Sequence, residues 1–170
     1  ILNANTAESY NNIGAAYLYM GKYEEGLEYL KKALDIKLSI SNDNDIINVD
    51  TYNNIGYAYG KLDKHEDAIE ILNKALKIQL VEFGENHPDT ALTYTNLGNI
   101  YQNKSKYAEC LDLQKKALRI RINLFGDIHP DTAISYNNVA NSYSDMDKYT
   151  DALEYMKKAR IGALMVIERD

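Results

Sequence analysis

Asparagine is the residue type that this sequence places most regularly for recognition chemistry. Asn12, Asn54, Asn96 and Asn138 are each 42 positions apart, and Asn11, Asn53 and Asn137 stand beside three of them. A primary amide carries both a donor and an acceptor, so it can pair with the N–H and the C=O of a bound backbone. A series of such amides suits binding that reads peptide main chain with modest demand on sequence. The same amides can also cap or bridge adjacent helices, because buried polar groups find hydrogen-bond partners. The doublets favour the binding use, since a purely structural role has little need of both neighbours.

Catalytic and metal chemistry is poorly supplied. Cys110 shares its register with Gly26, Ala68 and Ala152, so it reads as a small packed residue. No His, Asn or Asp set accompanies it as a reactive thiol would require. His65 takes the slot of Tyr23, Tyr107 and Tyr149 and is expected to pack. His87 and His129 precede prolines in equivalent turns of successive repeats, too far apart to share a metal. The Asp43/Asp45 loop lacks the Gly and terminal Glu of a calcium loop. There is no phosphate-binding glycine loop and no serine nucleophile motif. Asn103-Lys104-Ser105 matches a glycosylation acceptor, a pattern short enough to arise by chance. No enzymatic activity, cofactor or metal is expected.

The step of 42 is not confined to asparagine. Tyr10, Tyr52, Tyr94 and Tyr136 keep it, as do Gly14, Gly56, Gly98 and Ala140, then Tyr17, Tyr59, Tyr101 and Tyr143, then Ala33, Ala75, Ala117 and Ala159. A period of this length without insertions predicts stacked repeats rather than one globular core. Within the first copy Tyr10, Ile13, Gly14 and Tyr17 recur at three- and four-residue steps, the stripe of an amphipathic helix. Gly21-Lys22-Tyr23 breaks it. A second stripe runs through Gly26, Leu27, Leu30, Ala33, Leu34, Ile36 and Leu38, so each copy is a helical hairpin, A then B.

Boundaries and small positions fit that reading. Mid-helix glycine costs up to about 1 kcal/mol against alanine, a cost that close approach of a neighbouring helix at Gly14, Gly56 and Gly98 would offset. Pro88 and Pro130 suit the first helical position, followed by Asp89 and Asp131 at the positive helix end. Gly84 and Gly126 stop the preceding B helices. The link Ser41-Asn42-Asp43-Asn44-Asp45 lacks these signals and is expected to be the most mobile loop. Glu28/Lys32, Glu70/Lys74, Asp112/Lys116 and Glu154/Lys158 are acid-then-base pairs at i,i+4, the mark of a solvated face. The lysine doublets are therefore not a nucleic-acid stripe.

Bulk composition excludes further classes. The chain has 170 residues, 45% of them apolar, and a net charge of −6. That charge argues against general affinity for nucleic-acid backbones or anionic membranes, and no apolar run approaches the roughly 20 residues of a membrane span. A single cysteine rules out an internal disulfide framework and fits a reducing compartment, so a cytoplasmic location is expected. The chain opens Ile1-Leu2-Asn3 without Met and is expected to be part of a longer protein.

The spacing Tyr10-x-x-Ile13-Gly14-x-x-Tyr17, then Gly26, then Ala33, resembles the tetratricopeptide repeat. Tyr10-Asn11-Asn12-Ile13-Gly14, Gly21-Lys22-Tyr23-Glu24-Glu25, His87-Pro88-Asp89-Thr90 and Lys115-Lys116-Ala117-Leu118-Arg119-Ile120 look like the long repeats of kinesin light chains. The resemblance implies an all-α fold, a right-handed α-solenoid of four helix-turn-helix repeats with eight helices. One array is expected over 1–170, with repeats at about 5–46, 47–88, 89–130 and 131–170. It also implies a concave groove lined by A helices that receives a protein or peptide ligand. By register the groove residues would be Asn11, Asn12 and Tyr19; Asn53, Asn54, Tyr57 and Lys61; Thr95, Asn96, Asn99, Gln102 and Asn103; and Asn137, Asn138 and Asn141. Glu8, Ala15, Asp50 and Asp145 share those rows. Where co-chaperones of this family grip a carboxylate with basic residues, this sequence has Asn11, Ala15, Asn54, Leu92 and Asn96, so no such clamp is expected. Lys61 is the one basic groove residue, against Glu8, Asp50 and Asp145, which disfavours acidic peptides.

The function so implied is a non-enzymatic scaffold for proteins or peptides. An alternative is an assembly module: the last helix runs into Ala163-Leu164-Met165-Val166-Ile167 without a polar cap, and terminal repeats need a polar outer face. Leu164, Met165 and Ile167 would then pair with a further repeat or a second copy. A further alternative is the regulatory region of a larger enzyme.

Overall fold

A computed structural model describes residues 3–167, with side chains described for 3–161. Among the described residues there are eight α-helices and no strand: α1 Ala4–Tyr19, α2 Tyr23–Ile40, α3 Val49–Lys61, α4 His65–Glu82, α5 Pro88–Asn103, α6 Tyr107–Phe125, α7 Pro130–Ser144 and α8 Tyr149–Ile167. A 3₁₀ turn, Ile46–Asn48, leads into α3. The chain forms two compact units, Ile1–Glu82 and Phe83–Asp170. In the first, α1 pairs with α2 and α3 with α4, and α2 packs on α3; in the second, α5 pairs with α6 and α7 with α8, and α6 packs on α7.

Each hairpin turns by the same device. Gly21, Asp63, Ser105 and Asp147, again 42 apart, all have a left-handed backbone with φ between 57° and 74°. The next residue donates its N–H back to a tyrosine carbonyl: Lys22 to Tyr17, Lys64 to Tyr59, Lys106 to Tyr101 and Lys148 to Tyr143, at 2.9–3.0 Å. This is the double-bonded helix stop that satisfies the last carbonyls of each A helix.

Loops between hairpins are latched as regularly. Thr132 Oγ1 donates to the Gly126 carbonyl at 2.8 Å, Thr90 Oγ1 to that of Gly84 at 3.3 Å, and Asn48 Nδ2 to that of Asn42 at 2.8 Å. Tyr52 donates its hydroxyl to Asp43 Oδ1 at 2.7 Å, and Tyr136 does so to Asp127. Lys74 reaches Asp43 at 3.5 Å. The polar link expected to be the loosest is thus held by side-chain bonds at Asn42 and Asp43. Tyr52 and Tyr136 serve as both core and latch: Tyr52 packs with Val49, Ala75 and Ile78 while its hydroxyl stays on the loop.

Within each hairpin of the first unit the helices approach closely at glycine. A Cβ on Gly14 would lie 2.7 Å from Leu30 Cγ, and one on Gly56 would lie 2.5 Å from Leu72 Cγ. Both leucines are fully buried. Cys110 is buried too, its sulfur 3.2 Å from Ser142 Oγ, and burial pushes its thiol up, away from thiolate chemistry.

Candidate peptide-binding faces

The asparagine doublet of the first hairpin divides into two roles. Asn11 is buried, and its Oδ1 accepts from Thr51 Oγ1 at 3.1 Å and from Asn54 Nδ2 at 3.4 Å. It therefore joins α1 to α3 and is not open to a ligand as its register implied. Asn12 is exposed and Asn54 half-buried. Asn53 is buried, again unlike the expected groove position. Tyr57 is exposed, packs edge-on to Tyr23 and lies under the Lys61 ammonium at 5.4 Å. Tyr19 is 93% exposed at the end of α1.

The second unit repeats the division with other side chains. Thr95, in the register of Asn11, is buried; its hydroxyl donates to the Ala91 carbonyl at 2.9 Å and accepts from Arg121 at 3.2 Å. The same guanidinium donates to Ser135 Oγ, so α6 ties α5 to α7. Burial draws Arg121 below its usual range against the pull of Asp131. Asn96 and Asn138 are half-buried, while Asn99, Asn103, Asn137 and Asn141 are exposed. Asn99 Oδ1 accepts from Gln114 Nε2 at 3.0 Å, and Gln102 donates to Asp145. The outer member of each expected doublet remains at the surface or half-buried, whereas the inner member is buried in the first three copies.

Sequence reasoning passed over Lys37 and Arg121, which occupy one register 84 positions apart. Lys37 is 5% exposed on α2. Burial lowers its pKa, and Glu8 on α1 and Asp50 on α3 oppose that shift. The signal available was a register of long polar residues on helix B, Lys37, Gln79 and Arg121. His87 and His129, expected only to lie too far apart to share a metal, also have a capping role that their position before proline did not reveal. Each accepts the N–H two residues on, from Asp89 at 3.3 Å and Asp131 at 3.2 Å. Their rings stack on Phe83 and Phe125 at 4.1 and 4.6 Å. They are helix N-caps. Among the described residues no group of three or more His, Cys, Asp or Glu could hold a metal, and no helix is long and apolar enough to cross a membrane. The side chains of Leu164, Met165 and Ile167 lie outside the described residues.

The family model of the tetratricopeptide repeat matches residues 5–80, 47–103 and 89–160. The chain belongs to the tetratricopeptide repeat family. Among solved structures it is similar to BtubC from P. vanneervenii, at 25% identity and a TM-score of 0.85 over 94% of this chain. The match covers 64% of the BtubC chain. A P. anserina kinesin light chain candidate with nearly identical repeats matches at 18% identity and a TM-score of 0.82, covering 92% of this chain and 74% of that one. Aspartyl phosphate phosphatase F from Bacillus subtilis matches at 20% identity and a TM-score of 0.83, over 96% of this chain and 41% of that one. No match was found among the curated proteins. The likeness to kinesin light chain repeats expected from the sequence phrases holds in the fold. A tetratricopeptide fold supports a scaffold for protein–protein interaction.

Proposed function

We propose that this tetratricopeptide repeat chain is a non-enzymatic scaffold that binds extended peptide segments of partner proteins along the A helices of each unit, α1 and α3 in the first, α5 and α7 in the second. The observation that carries the reading is the division of the asparagine doublet. Structural bridging uses Asn11, with Asn54 donating to it, and Thr95, so packing of that kind does not require Asn12, Asn96 and Asn138 to be amides. Their donors and acceptors suit a peptide backbone. Recognition of main chain accounts for amides where carboxylate-gripping relatives carry cations.

The test is binding of fluorescein-labelled degenerate decapeptides, followed by anisotropy, to the chain and to an Asn54→Ala/Asn96→Ala variant of unchanged helicity. Loss of an amide's donor and acceptor in each unit is expected to weaken binding there by about tenfold, at about 0.5–1.5 kcal/mol for each bond. Unchanged affinity in the folded variant would remove the amides from recognition.

A further inference from the structure

In the first unit a cavity of about 230 Å³ opens where α1, α2, the 3₁₀ turn and α3 meet. Its lining combines the aliphatic side chains of Ile40, Ile46 and Ile47 with three charged groups, Glu8, Lys37 and Asp50. Both carboxylate residues are exposed, whereas Lys37 is almost wholly buried. Glu8 stands one helical turn before Asn12 and Asp50 one turn before Asn54, so each acid shares a helix face with an amide. The cavity therefore adjoins the amide row.

We propose that this cavity receives the side chain of an arginine, or less well a lysine, from a peptide held along α1 and α3. This deepens the scaffold reading and rests on it. Two carboxylates against one ammonium leave the site with a surplus negative charge. An anionic side chain drawn to Lys37 would have to pass Glu8 and Asp50, and like charges at that range repel. A long basic side chain matches both halves of the lining, because its methylenes cover apolar surface while its head stays with charge. Arginine is favoured over lysine since its planar fork pairs with carboxylates in two-point geometry. Lys37 already balances part of the acid charge from within. The chain's net charge of −6 adds long-range attraction for basic segments.

Four labelled decapeptide pools decide it, degenerate except for a central Arg, Lys, citrulline or Glu. Citrulline keeps the shape and most donors of arginine and loses the charge. The Arg pool is expected to bind about tenfold tighter than the citrulline and Glu pools, a margin typical of charge-assisted pairing, with Lys between. In Glu8→Gln/Asp50→Asn, changes at exposed positions, the Arg pool should fall to the citrulline level. In Lys37→Met the Arg preference should widen. Equal binding of Arg and citrulline, or a preference that survives Glu8→Gln/Asp50→Asn, overturns the proposal. If the pools bind alike and Asn54→Ala/Asn96→Ala weakens them all, the cavity proposal falls while the scaffold stands. If no pool binds, both fall.

Discussion

Gln114 fills a slot that Leu30 and Leu72 fill in the first two hairpins. All three are buried. Its Nε2 donates to Asn99 Oδ1 at 3.0 Å and to the Thr95 carbonyl at 3.3 Å, while its Oε1 is buried without a hydrogen-bond partner among the described residues. A buried polar atom left unbonded costs about 1–3 kcal/mol. Gln114→Leu removes that cost, and exposed Asn99 can turn to water instead. The variant is expected to be more stable by about 1–2 kcal/mol, read as a higher midpoint in urea at unchanged slope. A lower midpoint would mean that the two amide bonds outweigh the orphaned carbonyl. The case shows what residue types alone conceal. The register identified the position as buried, but only the coordinates show which atom of the amide goes unbonded. The burial of Asn11 and Asn53 is hidden in the sequence for a related reason. Adjacent residues on a helix differ by about 100° in direction, so one faces the next hairpin and the other faces away. Which is which depends on the phase of packing, and Asn11 and Asn12 are alike in composition.

At the scale of elements the boundaries were legible because the residues that set them act locally. Pro88 and Pro130 begin α5 and α7, and Gly126 follows α6. The capping role of the histidines before those prolines is not legible in sequence, because imidazole is an uncommon cap and its acceptor role depends on the ring turning onto Phe83 or Phe125. His129 combines an acceptor for the Asp131 N–H with a stacked ring on Phe125. Loss of an N-cap costs about 0.5–2 kcal/mol, and an aromatic pair contributes about 0.5–1.5 kcal/mol beyond burial. His129→Ala is therefore expected to destabilise by about 1–2 kcal/mol, and His129→Asn, which restores the cap without the ring, by about half as much. Urea unfolding of the two variants checks this. Equal losses would show that stacking, not capping, holds the turn. The i,i+4 charge pairs on helix B form in part. Asp112–Lys116 and Glu154–Lys158 form at 3.0 and 3.4 Å, but Lys74 reaches the loop acid Asp43 and Lys32 lies over the Tyr29 ring at 5.0 Å. A period in sequence reveals neighbours along a helix, and these partners come from a loop or an aromatic face.

For the whole molecule, the repeat made the fold class plain, since every copy carries the same small, aromatic and turn positions. What it could not supply is how far cooperativity extends. Helices in each unit pack on their sequence neighbours, and the chain parts into two compact units at Glu82 and Phe83. In such an array stability is approximately a sum of local and nearest-neighbour terms, so damage should remain near its source. Leu72 is fully buried against Gly56, and Leu72→Ala should cost about 2–5 kcal/mol. Native-state amide exchange resolves where that loss is felt. Exchange in α3 and α4 is expected to accelerate most, α1 and α2 next, with α7 and α8 keeping their protection within error. The reciprocal change, Ile120→Ala in the buried face of α6, should accelerate α5 and α6 most and α7 and α8 next, with α1 and α2 keeping their protection. If either substitution sped exchange equally in all eight helices, the chain would unfold as one cooperative body. Peptide bound along α1 and α3 would then stabilise α7 and α8 as much as its own contacts. Under the local rule it protects the first unit alone, so the pattern of protection by a bound peptide also reports which face the peptide occupies.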